Sequence, residues 1–435
     1  MKIIANVINH SLKSRFARNV LTLMTGTTLA QVVGILVAPI LTRLYLPSDY
    51  GVSALFGAIL SIFGVVMCWR YELSIVLPEK DEEAASLLVL SIIIACSMSV
   101  LSLGAVVFLR HPVAMLLGAP NLAPWLWLLP IGLLAAGVFQ ALNYWCTRKK
   151  QFTRLAGRQF TQSFIGAGAQ VSAGAFLNVG SGGLIGGSIL GQIVATGHLG
   201  WQVLKEYGSQ IKSCVSKSRL VTQANRYSKF PRFSIMTALL NTASLQLPGL
   251  LFSLFFGPTV LGHYHLGHRI FSAPMGIVRE AVAQAFYPRA AECYNAGGDL
   301  RTLIRRSYLY LGTIVIVPFL ILFSIGPWIF GLVFGSKWIM AGYYLRYILP
   351  WLTLMFIISP SVNVFPILNK QDFVLIFELV LFVTRLAAVV FGGVIFKNPE
   401  WAIGLYGGVG VTANIYIAFK IDRLLREYGN QRILK

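Results

Sequence analysis

Arg70, Glu72, Arg269, Arg279, Glu280, Glu378 and Arg385 stand inside stretches of sequence that are otherwise too apolar for water. Each charge at the centre of a bilayer costs on the order of 2.5–3.5 kcal/mol, so such groups need a partner or a water-filled cavity. Guanidinium groups grip phosphate oxygens two at a time, and arginines gathered in a chamber would suit a phosphate or pyrophosphate. Arg70, Arg269, Arg279 and Arg385 are therefore the candidate anion-binding residues. Glu72, Glu280 and Glu378 are the candidates for holding a coupling cation. A second use of the same residues is internal pairing, Arg70 with Glu280 and Arg279 with Glu72, which would lock two helices together. Glu378 and Arg385 are seven residues apart, on one helical face but too distant for a direct pair. His263, His265 and His268 read as interfacial histidines more readily than as proton carriers.

Other chemistry finds little support. Cys68, Cys96, Cys146, Cys214 and Cys293 form no CxxC and no Cys/His cluster, so no disulfide framework, metal site or cofactor is expected. The run Gly182 to Gly191 has overlapping small-xxx-small spacings and reads as close helix packing, without the strand or the GxGxxG of a nucleotide loop. Gly331 to Lys337 is a similar decoy, lacking the spacing and the GK[ST] ending of a P-loop.

The elements that would position these charges are membrane spans. Of the 435 residues, 56% are hydrophobic and 12% charged, with a mean hydropathy of +0.71, whereas soluble domains carry about 25% charged residues. Apolar segments of about 20 residues, enough to cross the hydrocarbon core, fall at 20–42, 50–77, 85–109, 122–143, 155–178, 182–203, 233–256, 259–287, 303–334, 343–368, 372–396 and 401–420. The fold class expected is an all-α polytopic membrane protein with about 12 transmembrane helices. Residues 1–19 place Ile3, Ile4, Val7, Ile8, Leu12 and Phe16 at helical spacing among polar residues, as an amphipathic surface segment would. No short apolar run with a cleavage site follows, so 20–42 is expected to be a retained first span.

The net charge of +21 is not arranged as a nucleic-acid stripe with interleaved aromatics. It sits between spans. Twenty-seven Lys and Arg residues, Arg148, Lys149, Lys150, Arg154 and Arg158 of one loop among them, occupy the N-terminus, the C-terminus and alternate loops, against four (Arg43, Arg110, Lys337 and Lys397) in the opposite loops. Basic residues stay on the cytoplasmic side, so both termini are expected there and the span number is even. The external loops, such as 43–49 and 179–181, are too short to carry a catalytic platform, and no enzyme activity is expected.

The longest loop, the cytoplasmic basic linker 205–232, separates a six-helix lobe at 20–204 from another at 233–420, with a basic tail at 421–435. Pro47-Ser-Asp-Tyr-Gly51 after the first span is echoed by Pro258-Thr-Val-Leu-Gly262 after the seventh, each followed by a helix ending in proline, at Pro78 and Pro288. Matching positions favour an internal repeat. The repeat would set Arg70 and Arg279 at one depth, with Arg269 about 15 Å away along its helix at 1.5 Å per residue.

Read together, Pro39 to Gly51, Arg70-Tyr-Glu-Leu-Ser-Ile-Val-Leu-Pro78 with the acidic run after it, Tyr264 to Pro274 and Ala285 to Arg289 resemble one family. Phe334 to Trp338, Ala341-Gly342, Pro350-Trp351 and Ser359-Pro360 extend the likeness over nearly the whole chain. The chain is similar to the lipid-linked oligosaccharide flippases of the multidrug/oligosaccharidyl-lipid/polysaccharide exporter superfamily. That resemblance implies two pseudo-symmetric six-helix bundles in a V around a central cavity. It implies an undecaprenyl-pyrophosphate-linked oligosaccharide as substrate, moved to the periplasmic leaflet of a bacterial inner membrane for O-antigen, capsule or exopolysaccharide synthesis. Membrane lipid, a polysaccharide polymerase and other assembly proteins are the partners it suggests, and nucleic acid is not. A multidrug exporter of the same superfamily is the alternative, and a polymerase or ligase the more distant one. A major-facilitator transporter would carry a Gly…Asp-Arg…Gly-Arg pattern where this chain has Pro78-Glu-Lys-Asp-Glu-Glu83.

Overall fold

The computed structural model describes residues 15–433 except 215, 297, 363 and 369, and among them every regular element is helical. Most of the expected N-terminal amphipathic segment therefore lies outside the described residues. The helices are α1 (Arg15–Leu44), α2 (Pro47–Gly64), α3 (Asp81–Leu116), α4 (Leu129–Arg148), α5 (Phe152–Ser172), α6 (Ser181–Cys214) and α7 (Lys217–Arg226). They continue with α8 (Ile235–Asn295), α9 (Leu300–Phe334), α10 (Ile339–Val362), α11 (Val364–Ile367), α12 (Gln371–Phe391) and α13 (Pro399–Ile433).

Among the described residues, eight helical stretches are long and apolar enough to cross a membrane. One of them lies in α8, which joins two helices across Gly257 at φ 81 and ψ 171, a conformation open to glycine, so the expected spans 233–256 and 259–287 are continuous apart from one break. The shorter α2 and the more polar α5 and α6 account for the remaining spans, and about 12 transmembrane helices result.

Contacts divide the chain into two compact units, Met1–Thr259 and Val260–Lys435. In the first, α1 packs along α5, α5 along α6 and α3 along α4. One core there surrounds Trp145, with Ile75, Leu87, Leu88, Leu142 and Leu199. The run Gly182 to Gly191 is close packing, as expected: Gly182 faces the Trp125 ring, Gly183 Tyr45, Gly187 Gln170 and Gly191 Gly166. In the second unit α10 packs between α9 and α13, and α12 along α13. Phe286, Ile304, Ile358, Phe365 and Ile421 form its core.

Each unit contains the same corner. In the first, α5 loosens into a π turn at Ala173–Leu177, passes through Asn178 at φ 49 and ψ 35, and restarts as α6. In the second, α12 loosens at Gly392–Phe396, passes through Lys397 at φ 49 and ψ 31, and restarts as α13. Ala173 lies on Gly183 across the first corner, and Gly392 on Ala402 across the second. These pairs occupy corresponding places, with the alanine and the glycine exchanged, so each interface keeps one methyl group.

Expected as one helix over 50–77, the second span instead stops at Gly64. Turns follow, then a 3₁₀ segment over Tyr71–Val76. The linker is also more ordered than its composition suggests. α6 extends to Cys214, and α7 begins at a Ser216 cap whose hydroxyl accepts the Arg219 N–H at 3.3 Å.

Candidate functional site

The break in the second span is where polar groups collect. Trp69 and Arg70 hold φ of 50 and 63, left-handed values that cost non-glycine residues energy and persist only where surroundings enforce them. The enforcement is visible at both ends. At the upstream end, the Gln140 side chain of α4 donates to the Gly64 carbonyl at 2.9 Å, satisfying an acceptor freed by the end of α2. At the downstream end, Arg148 donates to the carbonyls of Pro78 at 2.5 Å and Glu79 at 3.1 Å, and pairs with Asp81 at 3.1 Å. Lys149 meets the other oxygen of Asp81 at 2.5 Å. Irregular backbone at membrane depth is tolerated only where protein satisfies it in this way.

Inside the break, Arg70 Nη1 lies 3.4 Å from Glu72 Oε1, with the arginine side chain 21% exposed and the glutamate 1%. Arg70 Nε has no hydrogen-bond partner, and neither Glu72 oxygen has one. Cys68, fully buried beside them, donates to the Gly137 carbonyl at 3.2 Å. A buried carboxylate thus rests on a single, long contact to a cation that itself reaches the surface.

α7 seals one end of this region. Arg219 pairs with Glu82 and Arg226 with Glu83, each at 3.0 Å, and the Tyr71 hydroxyl donates to the Ala224 carbonyl at 3.0 Å. The carboxylates come from the first turn of α3, where negative charge also suits the helix dipole. Nearby, at the end of α6, Glu206 is held below the usual carboxylate range by the Tyr207 hydroxyl and by its ion pair with Arg154.

The other candidate residues are placed separately. Arg269, Arg279 and Glu280 are exposed on α8, and Glu378 is exposed on α12. Arg385 is half-buried, its guanidinium 4.6 Å from the Trp351 ring centroid and 5.5 Å from that of Tyr406. His268 and Tyr264 extend this aromatic group. The pairing expected as the alternative, Arg70 with Glu280 and Arg279 with Glu72, gives way in the case of Glu72 to a local contact with Arg70, two residues before it. Arg269, Arg279 and Arg385 form no ion pair with another described residue.

Two further arginines were not among the expected buried charges. Arg158, grouped by sequence with the basic loop residues, is 8% exposed on α5; its guanidinium lies 3.5 Å from the Phe139 ring centroid and donates to Thr196 at 3.3 Å. The signal available in the sequence was its place three residues inside an expected span. Arg346, within α10, donates to the Ser324 carbonyl at 2.7 Å and lies 5.6 Å from the Tyr343 ring centroid.

A family described as polysaccharide biosynthesis protein matches residues 40–342. No curated protein matches the chain in sequence. Among solved structures, the lipid II flippase MurJ in an inward closed conformation is similar, with a TM-score of 0.68 at 12% identity over 92% of this chain and 87% of its own. A mutant of the Vibrio cholerae MATE transporter VcmN gives 0.60 at 14% identity, over 98% of this chain and 99% of its own. An inward-facing multidrug resistance MATE transporter of the MOP superfamily gives 0.56 at 14%, over 93% and 95%. At these identities the likeness is one of fold.

Proposed function

Because the chain belongs to the polysaccharide biosynthesis protein family and shares the fold of a lipid II flippase, we propose that it flips an undecaprenyl-pyrophosphate-linked oligosaccharide. Movement is from the cytoplasmic to the periplasmic leaflet of a bacterial inner membrane, by alternating access, with both termini cytoplasmic. The glycan is destined for O-antigen, capsule or exopolysaccharide. Arg70, Arg269, Arg279 and Arg385 are the cations assigned to the pyrophosphate. Glu72, Glu280 and Glu378 are the groups for a coupling cation, and the six-helix lobes are assigned to 20–204 and 233–420, joined by the linker 205–232.

The observation that supports this reading most is the state of Arg70. It sits in a helix break, reaches the surface, and has only one long contact to a carboxylate. A discontinuous span with a charged group at the break is how transporters present ion and substrate sites. Guanidinium favours a phosphate ester over a cationic drug.

The test is export of surface polymer by cells carrying Arg70→Ala, Arg269→Ala or Arg279→Ala in place of the native protein. Export should fall while each variant stays in the membrane at normal abundance. Undiminished export in all three would contradict the assignment.

A further inference from the structure

We infer that Arg70 changes partner during transport: the substrate's pyrophosphate takes its guanidinium from Glu72, and Glu72 then takes one proton from solution. The inference rests on the proposed pyrophosphate reading. It adds where a proton binds with the substrate and why binding and protonation are linked.

The geometry is asymmetric. Arg70 is the exposed member of the pair and Glu72 the enclosed one, 21% against 1%. An anion arriving from the aqueous side therefore meets the guanidinium and not the carboxylate. Arg70 Nε has no partner, and its Nη1 contact to Glu72 is 3.4 Å, longer than a good charge-assisted hydrogen bond. A pyrophosphate accepting two N–H bonds from the same fork would replace one loose contact with two close ones.

Glu72 has nothing else to turn to. Neither of its oxygens is hydrogen-bonded by another residue. From its own segment, Cys68 directs its thiol to the Gly137 carbonyl. From α4, Tyr144 is the titratable group in electrostatic reach. From the Phe230–Ser234 turn, Arg232 acts on Tyr71 and not on Glu72. The cations at the end of the break are committed elsewhere: Arg148 and Lys149 to Asp81, Arg219 to Glu82 and Arg226 to Glu83. A buried carboxylate that loses its only counter-charge is strongly disfavoured, and the neutral acid replaces it. The step balances: one anion and one proton enter, the Arg70–Glu72 contact breaks, and an Arg70–pyrophosphate contact and a carboxylic acid form. Return of Arg70 to Glu72 expels both.

The experiment uses the full-length protein in nanodiscs of phosphatidylethanolamine and phosphatidylglycerol, with farnesyl pyrophosphate as the probe. Titration calorimetry in buffers of different ionisation enthalpy counts protons taken up per molecule bound. Wild type should take up one proton more than Glu72→Gln, which serves as the control for protonation of the probe itself. Wild-type Kd should weaken by up to about tenfold per pH unit as pH rises, the limit for one linked proton, and this excess dependence should vanish in Glu72→Gln. Glu72→Asp, which keeps the carboxyl, should retain the uptake and guards against a folding defect in the amide variant. Equal proton counts for wild type and Glu72→Gln, with Arg70→Ala still weakening the probe at least tenfold, would overturn the linkage alone. Unchanged affinity in Arg70→Ala would overturn the pyrophosphate reading beneath it.

Discussion

Gly51 packs against the backbone of Pro258 so closely that a Cβ at position 51 would overlap the Pro258 carbonyl. These residues belong to the two Pro-xxx-Gly motifs whose similarity suggested an internal repeat, and the first unit brings them together. Pro47 opens α2 at its first position, while Asp49 Oδ2 accepts the Leu46 N–H at 2.9 Å. Pro258 follows the Gly257 break in α8. The contact ties the start of α2 to the joint between two spans of α8.

Gly51→Ala should therefore destabilise the protein by about 1–3 kcal/mol, the usual cost of forcing a methyl group into a filled contact. Gly186→Ala is the control, because a Cβ there meets nothing within 4 Å. Thermal unfolding of the detergent-solubilised protein should separate the two.

The exchanged alanine and glycine at the two corners make a second prediction. Gly392→Ala alone should be destabilising, since its Cβ would meet Ala402. The double variant Gly392→Ala with Ala402→Gly should recover only the part of the loss that comes from the Ala402 methyl group, because the Ala402 Cα also lies 2.4 Å from the added Cβ. Additive losses in the same unfolding assay would show that the corners are not equivalent.

Arg158 tests whether a buried charge is structural or functional. Its guanidinium is served by one hydroxyl and one aromatic face, and apolar replacement of such a group is often neutral or stabilising. Arg158→Met should leave thermal stability within about 1 kcal/mol of wild type or raise it, with export unaffected. A loss of export at normal abundance would add Arg158 to the substrate path.

Outside the spans, Asp299 caps α9 by accepting the Thr302 N–H at 3.1 Å and the Thr302 hydroxyl at 2.5 Å. The Thr302 hydroxyl and N–H hold its carboxyl below the usual range. The folded value is thus lower than the unfolded one, near 3.9. The cap's contribution is complete above the unfolded value and disappears as pH falls through the folded one. Asp299→Ala should cost about 1 kcal/mol at neutral pH. The difference from wild type should shrink in acid, followed by unfolding between pH 6 and about 3.

Much of the fold was legible because lipid leaves so few alternatives: apolar length and basic loops suffice to place the spans. The glycine run on α6 announced its own packing. The break after Gly64 was not legible. Its left-handed residues are Trp69 and Arg70, where no glycine marks the turn, and the groups that stabilise it, Gln140 and Arg148, come from a distant part of the chain. Arg70 and Glu72 could be picked out as costly charges, but not paired with each other, since two residues apart on a regular helix they would point to different sides. Arg158 was misread because a basic residue near a span end resembles loop charge until packing shows where it points.

The proposed flipping of a pyrophosphate-linked sugar lipid depends on Arg70. A leaflet-resolved assay in proteoliposomes measures it most directly, using a fluorescent undecaprenyl-pyrophosphate-linked sugar and an impermeant quencher or modifying enzyme outside. Wild type should make the inner-leaflet lipid accessible in an imposed proton gradient, and Arg70→Ala should not. Wild-type liposomes that leave the sugar lipid in place, while moving a cationic dye under the same gradient, would contradict it.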